Sequence, residues 1–117
     1  MNETENDVLQ AVCEYLAYKQ IFFWRVNQVP VWNNDAQAFR RMPKWSRRGV
    51  PDIIAVINGR FIGIECKTKK GKQSDGQVQF QQDLEKAGGV YWVVRGIDSI
   101  TPLLASICAI EIVIHVY

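Results

Sequence analysis

A chain of 117 residues that is 48% hydrophobic can bury one core, and it leaves little room for a second module. Fourteen Lys and Arg against 12 Asp and Glu give a net charge of +2. No apolar run approaches the ~18 residues of a membrane span, and the acidic start Met1-Asn2-Glu3-Thr4-Glu5 does not read as a secretory signal, so a cytoplasmic protein with one domain over 1–117 is expected. Cys13, Cys66 and Cys108 are odd in number and far apart, which fits reduced thiols and offers no zinc spacing. His115 is the only histidine, so no histidine-based metal cluster can be built within one chain.

Val8, Leu9, Val12, Tyr15 and Leu16 recur at helical spacing and predict an amphipathic helix over about 3–19. Residues 21–26 read as a first strand, and 28–48, with Pro30, Asn33-Asn34 and Pro43, as a long loop. Structureless loops of that length are usually functional or disordered. Pro51 opens a second strand, where its missing N–H is tolerated. Asn58-Gly59 then joins two β-prone runs, a strong hairpin signal. After the polar turn at 69–74, Ser74 is placed to cap a helix reaching about 87, with Val78, Phe80 or Gln81, and Leu84 facing inward. Gly88-Gly89 ends it, and residues 90–94 form a strand apolar enough to be buried on both faces.

Strand, helix and strand from 61 to 94 make a crossover unit, so those two strands should be parallel and the sheet mixed. A short helix over 99–107, with Pro102 in its first turn, precedes a final strand over 109–117 in which Ile110, Ile112, Ile114 and Val116 alternate with Glu111, Val113, His115 and Tyr117. The fold class expected is therefore α/β: a central mixed sheet flanked by helices, in α-β-β-β-α-β order plus a short helix and a terminal strand. As an edge at the chain end, the terminal strand would invite pairing or a partner surface, with the first helix as the other candidate for an interface.

The hairpin carries the chemistry. With Asn58 and Gly59 as the loop, Ile57 opposes Arg60, and counting back places Asp52 opposite Glu65 at a non-hydrogen-bonded pair, where side chains come closest. Period-two alternation puts Lys67 on the face that carries both acids. Opposed like charges destabilise a strand pair. Mg²⁺ or Mn²⁺ would reconcile them, because these cations prefer oxygen ligands and Mg²⁺ needs only one or two protein carboxylates beside water and substrate phosphate. Lys67 could then offset charge building up on a phosphate. The plainer alternative is a lysine bridging two acids on a wet sheet face, and the apolar flanks argue against it.

The charges are also segregated. Arg25 to Arg48 holds six basic residues against Asp35 alone, and Arg60 to Lys72 holds five against Glu65. Arg40, Arg41, Lys44, Arg47 and Arg48 on one side of the acids in sequence, and Lys69, Lys70 and Lys72 on the other, make the footprint expected for a nucleic acid. Trp32, Phe39 and Trp45 interleave with the first run. They could wedge against bases or sugars, although loop aromatics more commonly fold back onto the core.

Pro51-Asp52 followed by Glu65-Cys66-Lys67 resembles the PD-(D/E)XK nuclease signature. The ordered series Gly49-Val50-Pro51-Asp52-Ile53-Ile54, Ile64-Glu65-Cys66-Lys67-Thr68, Ser74, Gln77, Phe80, Leu84, Gly88-Gly89 and Val93-Val94-Arg95 is similar to the virus-type replication-repair nuclease (VRR-NUC) branch, over most of the chain. The resemblance implies a restriction-endonuclease-like core in which Asp52, Glu65 and the backbone carbonyl of Cys66 hold metal. It further implies that Lys67 is catalytic, that Gln77 touches metal-bound water or the phosphate, and that an acid near the start of the first helix reaches the metal. Glu5 fits that spacing best, with Glu14 and then Glu3 as rivals, and Glu5 after Thr4 is equally what a capped helix start favours. The activity implied is a Mg²⁺- or Mn²⁺-dependent DNA endonuclease, structure-selective in the manner of a homodimeric Holliday-junction resolvase, in phage or prophage replication and repair. A flap or restriction-type nuclease of the same fold, or an inactive nucleic-acid-binding module, are the alternatives.

Overall fold

The computed structural model describes residues 3–26, 32–33, 38–39 and 43–116. Its elements run α1 (Glu5–Tyr18), β1 (Phe22–Arg25), β2 (Trp32–Asn33), β3 (Ala38–Phe39), β4 (Ile53–Ile57), β5 (Arg60–Cys66), α2 (Asp75–Lys86), β6 (Val90–Val94) and α3 (Ile97–Val116). Four strands form one sheet in the order β1-β4-β5-β6, with β5 and β6 parallel and the other pairs antiparallel. The fold is thus mixed α/β with helices flanking a mixed sheet, as the strand, helix and strand pattern implies.

The hairpin forms in the register counted from its turn. Asn58 and Gly59 both take positive φ, 49° and 82°, the conformation a two-residue primed turn demands. Ile57 pairs with Arg60 and Ile53 with Ile64. Alternation then sorts the side chains. Ile53, Ala55 and Ile57 of β4, Ile62, Ile64 and Cys66 of β5, and Trp92 and Val94 of β6 join Val8, Val12 and Leu16 of α1 and Ile100, Leu104 and Ile107 of α3 in one core. Each large aliphatic or aromatic side chain among them contributes about 1.5–3 kcal/mol on burial. The opposite sheet face carries Gly63 and Tyr91, and a Cβ at Gly63 would meet Pro51, Leu84 of α2 and Tyr91.

α2 starts at Ser74, whose hydroxyl accepts from the Gln77 N–H while the Gln77 side chain accepts from the Ser74 N–H, a complete capping box. Its sheet-facing residues are Gln77, Phe80, Gln81 and Leu84, whereas Val78, expected to face inward, is 38% exposed. The stripe begins one residue earlier because Gln77, although polar, has a partner on β5. Gly49, at φ 74°, lies against the first turn of α2 so closely that a Cβ there would fall 2.2 Å from the Gly76 carbonyl oxygen. This close approach fixes the chain entering β4 against the start of α2.

Two expectations need correction. Within 28–48, β2 and β3 pair as a short antiparallel hairpin, Trp32 opposite Phe39. Residues 109–116 are not a terminal strand, because α3 continues without a break from Ile97 to Val116. Alternating Ile and Val satisfy helical spacing as readily when nearly every residue is apolar, and no Gly or Pro lies between Ile107 and Val116 to stop a helix already nucleated. The side chains of 109–116, His115 and Glu111 among them, lie outside the described residues, as does Tyr117.

Gly49→Ala should therefore cost about 3 kcal/mol or more, from left-handed backbone plus a backbone clash, and Gly59→Ala, with open space around its Cβ, only about 1 kcal/mol. Urea denaturation of the two variants measures the difference.

Candidate functional site

The register places the two acids where the hairpin arithmetic predicts. Asp52 immediately precedes β4; its backbone carbonyl accepts from the Val26 N–H at 2.8 Å, and its Oδ2 accepts from the Cys66 N–H, also at 2.8 Å. Extending the observed pairing beyond Ile53–Ile64 brings Pro51 level with Cys66. The Asp52 carboxylate takes the Cys66 N–H, and because proline has no N–H to give, the Cys66 carbonyl, which points to the same side of its strand, receives no ladder hydrogen from Pro51. The Cys66 thiol faces the core, where burial raises its pKa.

Glu65 is only 2% exposed. Gln77 Nε2 donates to its Oε1 at 2.9 Å, and Lys67 Nζ lies 3.8 Å from the same oxygen. Lys67, itself 8% exposed, also meets Glu5 Oε1 at 3.1 Å. Glu5 opens α1 directly after the N-cap Thr4, whose capping box closes through Asp7. Glu5 is thus both an acid at a helix start and the acid that reaches the site. Its rival Glu14 is exposed and accepts from Gln10 at 3.3 Å, and Glu3 is exposed. One turn of α1, one residue of α2 and two adjacent strands therefore converge on Glu65 and Lys67.

Burial, and then the charge of Asp52, push the Glu65 carboxyl up to about 8, and the Lys67 ammonium only partly offsets this. Two carboxylates this close cannot both ionise without a counter-charge. Glu65 Oε2 is buried with no hydrogen-bond partner among the described residues. An orphaned buried carboxylate oxygen beside a second carboxylate and a carbonyl that Pro51 cannot donate to is a set of hard oxygen donors, and it fits Mg²⁺ or Mn²⁺. No three His, Cys, Asp or Glu side chains among the described residues could hold an ion by themselves. Glu5 is engaged by Lys67.

The basic residues divide. Lys44, Arg48, Lys69, Lys70 and Lys72 form no ion pair among the described residues; Lys44, Lys69, Lys70 and Lys72 lie at the surface together with Arg48. Arg47 is held by Asp83 at 2.6 Å and lies over the Phe80 ring at 5.6 Å, so it ties its loop to α2. Arg40 and Arg41 lie outside the described residues, as do the side chains of Trp32 and Phe39. Trp45 does not fold back onto the core: it is 88% exposed.

Sequence reasoning left two residues without a role. Arg95 Nη1 donates to the carbonyls of Thr68 at 2.5 Å, Gly71 at 2.8 Å and Lys69 at 3.3 Å, which pins the turn after Lys67. A lone arginine directly after an apolar strand is the signal that points to it. Tyr91 buries its hydroxyl without a hydrogen-bond partner among the described residues, and burial followed by the charge of Glu65 raises it to about 12. A polar tip in a strand buried on both faces was the available cue. Comparison with protein-family models and with curated proteins finds no match to this chain.

Because folded Glu65 keeps its proton to about pH 8 and the unfolded chain releases it near 4.5, the folded state holds the extra proton between those values. Stability should therefore fall as pH rises through that window. In divalent-free buffer, urea unfolding at pH 5 and pH 8 should show this loss in the wild type and a much smaller one in Glu65→Gln, whose amide oxygen can still accept from Gln77.

Proposed function

We propose that this protein is a metal-dependent deoxyribonuclease that hydrolyses phosphodiester bonds in branched DNA. The observation that carries the reading is buried Glu65 beside half-buried Asp52, with an unpartnered Glu65 carboxylate oxygen and the Lys67 ammonium next to it. Acids arranged this way destabilise the fold unless a cation is part of the working state. The resemblance of Pro51-Asp52 and Glu65-Cys66-Lys67 to the PD-(D/E)XK signature, and of the longer series to the VRR-NUC branch, supports the same conclusion.

Asp52, Glu65 and the Cys66 carbonyl would hold Mg²⁺ or Mn²⁺. The cation supplies a counter-charge for the acids, polarises a phosphoryl oxygen and lowers the pKa of water. Lys67 stabilises negative charge developing on the phosphate. Gln77 orients Glu65 through its 2.9 Å hydrogen bond, and Glu5 restrains the lysine head. Lys44, Arg48, Lys69, Lys70 and Lys72 supply the phosphate contacts that neutralise the backbone without reading sequence. Contacts of that kind favour selection by DNA shape over selection by sequence. A homodimer would let each protomer nick one strand of a four-way junction. The setting is intracellular DNA replication and repair, in a phage or prophage. No helix among the described residues is long and apolar enough to cross a membrane.

Labelled duplex, flap and four-way junction DNA incubated with Mg²⁺, Mn²⁺ or EDTA tests the reading. Cleavage should require the cation and favour the junction, whereas cutting of flaps alone would displace the junction preference. Binding without cation-dependent product would leave a binding module. Asp52→Asn, whose amide oxygen can keep the Cys66 hydrogen bond, and Lys67→Ala should each lower cleavage by about a hundredfold to a thousandfold while sparing binding in EDTA. Wild-type turnover by either variant overturns the assignment. Removing Arg48, Lys69 and Lys72 together should weaken binding to all DNAs alike and reduce the slope of log affinity against log salt by about one for each phosphate no longer neutralised.

A further inference from the structure

We infer that Trp45 is a stacking platform for an unpaired nucleobase, set on the loop that leads into β4. The inference rests on the nucleic-acid side of the function proposed above. Trp45 is the most exposed of the large apolar side chains described, at 88%. It sits in a turn closed by the Ser46 N–H donating to the Pro43 carbonyl at 3.1 Å, where it takes a φ of 77°. That third turn position with positive φ normally belongs to Gly or Asn, and a bulky residue there is an outlier. Outliers of this kind persist where the surroundings over-determine them, and they cluster at ligand-binding sites.

The surroundings are well anchored. Arg47, two residues on, is tied to Asp83 and Phe80 of α2, and Gly49 abuts Gly76. The ring is therefore presented by a braced segment.

The neighbours identify the occupant. Lys44 Nζ stands over the Trp45 ring at 5.2 Å, and Lys44, Ser46, Arg47 and Arg48 are all exposed. A protein partner would ask for a contiguous apolar patch. An isolated indole among cations matches a base with its phosphates, the combination by which single-strand binders hold a nucleic acid. Asp52 lies seven positions beyond Trp45, a reach of at most ~25 Å. The base it takes therefore lies within several nucleotides of the phosphate at the acids, in an unpaired or splayed arm and not in continuous duplex.

The test is anisotropy titration in EDTA with three probes: blunt duplex, the same duplex with an unpaired arm, and that arm with 2-aminopurine at successive positions. Trp45→Ala and Trp45→Gly should weaken binding of the armed DNA about tenfold and leave the duplex within about twofold. Trp45→Phe should retain most of the affinity, and 2-aminopurine quenching at one position should vanish in the Ala variant. Trp45→Gly should also raise the urea midpoint, since glycine adopts this φ without penalty, so a gain in stability accompanies the loss in binding. A merely structural tryptophan would lose both. Equal weakening on duplex and armed DNA, unchanged affinity for both, or loss of self-association with no change in DNA binding would each overturn the inference. Wild-type binding without cleavage would remove the nuclease reading and leave the Trp45 contrast standing.

Discussion

Two carboxyl groups that repel each other across neighbouring strands set the terms for the rest of this molecule. Asp52 and Glu65 face one another because the Asn58-Gly59 turn admits one register and side chains alternate along β4 and β5. Moving either strand by one residue would turn Ile53, Ile62 and Ile64 out of the core, so the buried apolar face holds the repulsion in place. Around the acids, the Cys66 N–H, the Gln77 amide and the Lys67 ammonium each take part of the negative charge. Burial, and then the Asp52 charge they leave over, give a glutamic acid that keeps its proton to about pH 8. The stability invested in the core is what allows a destabilising polar cluster to persist.

The scaffold delivers these groups through close backbone approaches. Gly49 lies on the first turn of α2, which sets the chain entering β4 against the start of that helix. Gly63 leaves room for Pro51, Leu84 and Tyr91, so α2 settles low on the sheet. Arg95 holds the turn that follows Lys67 through its carbonyls, and the Ser99 hydroxyl at the start of α3 accepts from the Arg95 N–H at 2.9 Å. Every helix thus has a hand in the geometry of one short stretch of β5. Disturbing any of them would be felt at Glu65 or Lys67 without touching either.

Charge on the surface follows a different logic. Arg47 belongs to the same basic run as Lys44 and Arg48, yet Asp83 and Phe80 engage it as a brace. Its neighbours remain available to a polyanion, and the brace keeps Trp45 raised into solvent. One basic residue of the run is structural, and that makes the others usable.

Much of this was legible in the chain itself. Turn chemistry, period-two alternation and capping are local, so Asn58-Gly59, Ser74 and Thr4 announce their elements, and the facing of Asp52, Glu65 and Lys67 follows by counting. Local patterns failed where two periods fit the same residues, as in Ile110, Ile112 and Ile114, which extend α3 and do not form a strand. They failed also where a partner lies far along the chain. The resemblance ranks Glu5 above Glu14, but no contact separates them until α1 is laid against the end of β5, and nothing near Arg47 reveals Asp83. The inward aim of Tyr91 and the outward aim of Trp45 likewise depend on which surfaces remain after packing. By itself the sequence determined the hairpin, its register and the acids that meet there, because those rest on interactions spanning a few residues. Only the tertiary structure decided which distant acid, amide and cation complete the site, because their distances depend on how separately specified elements pack together.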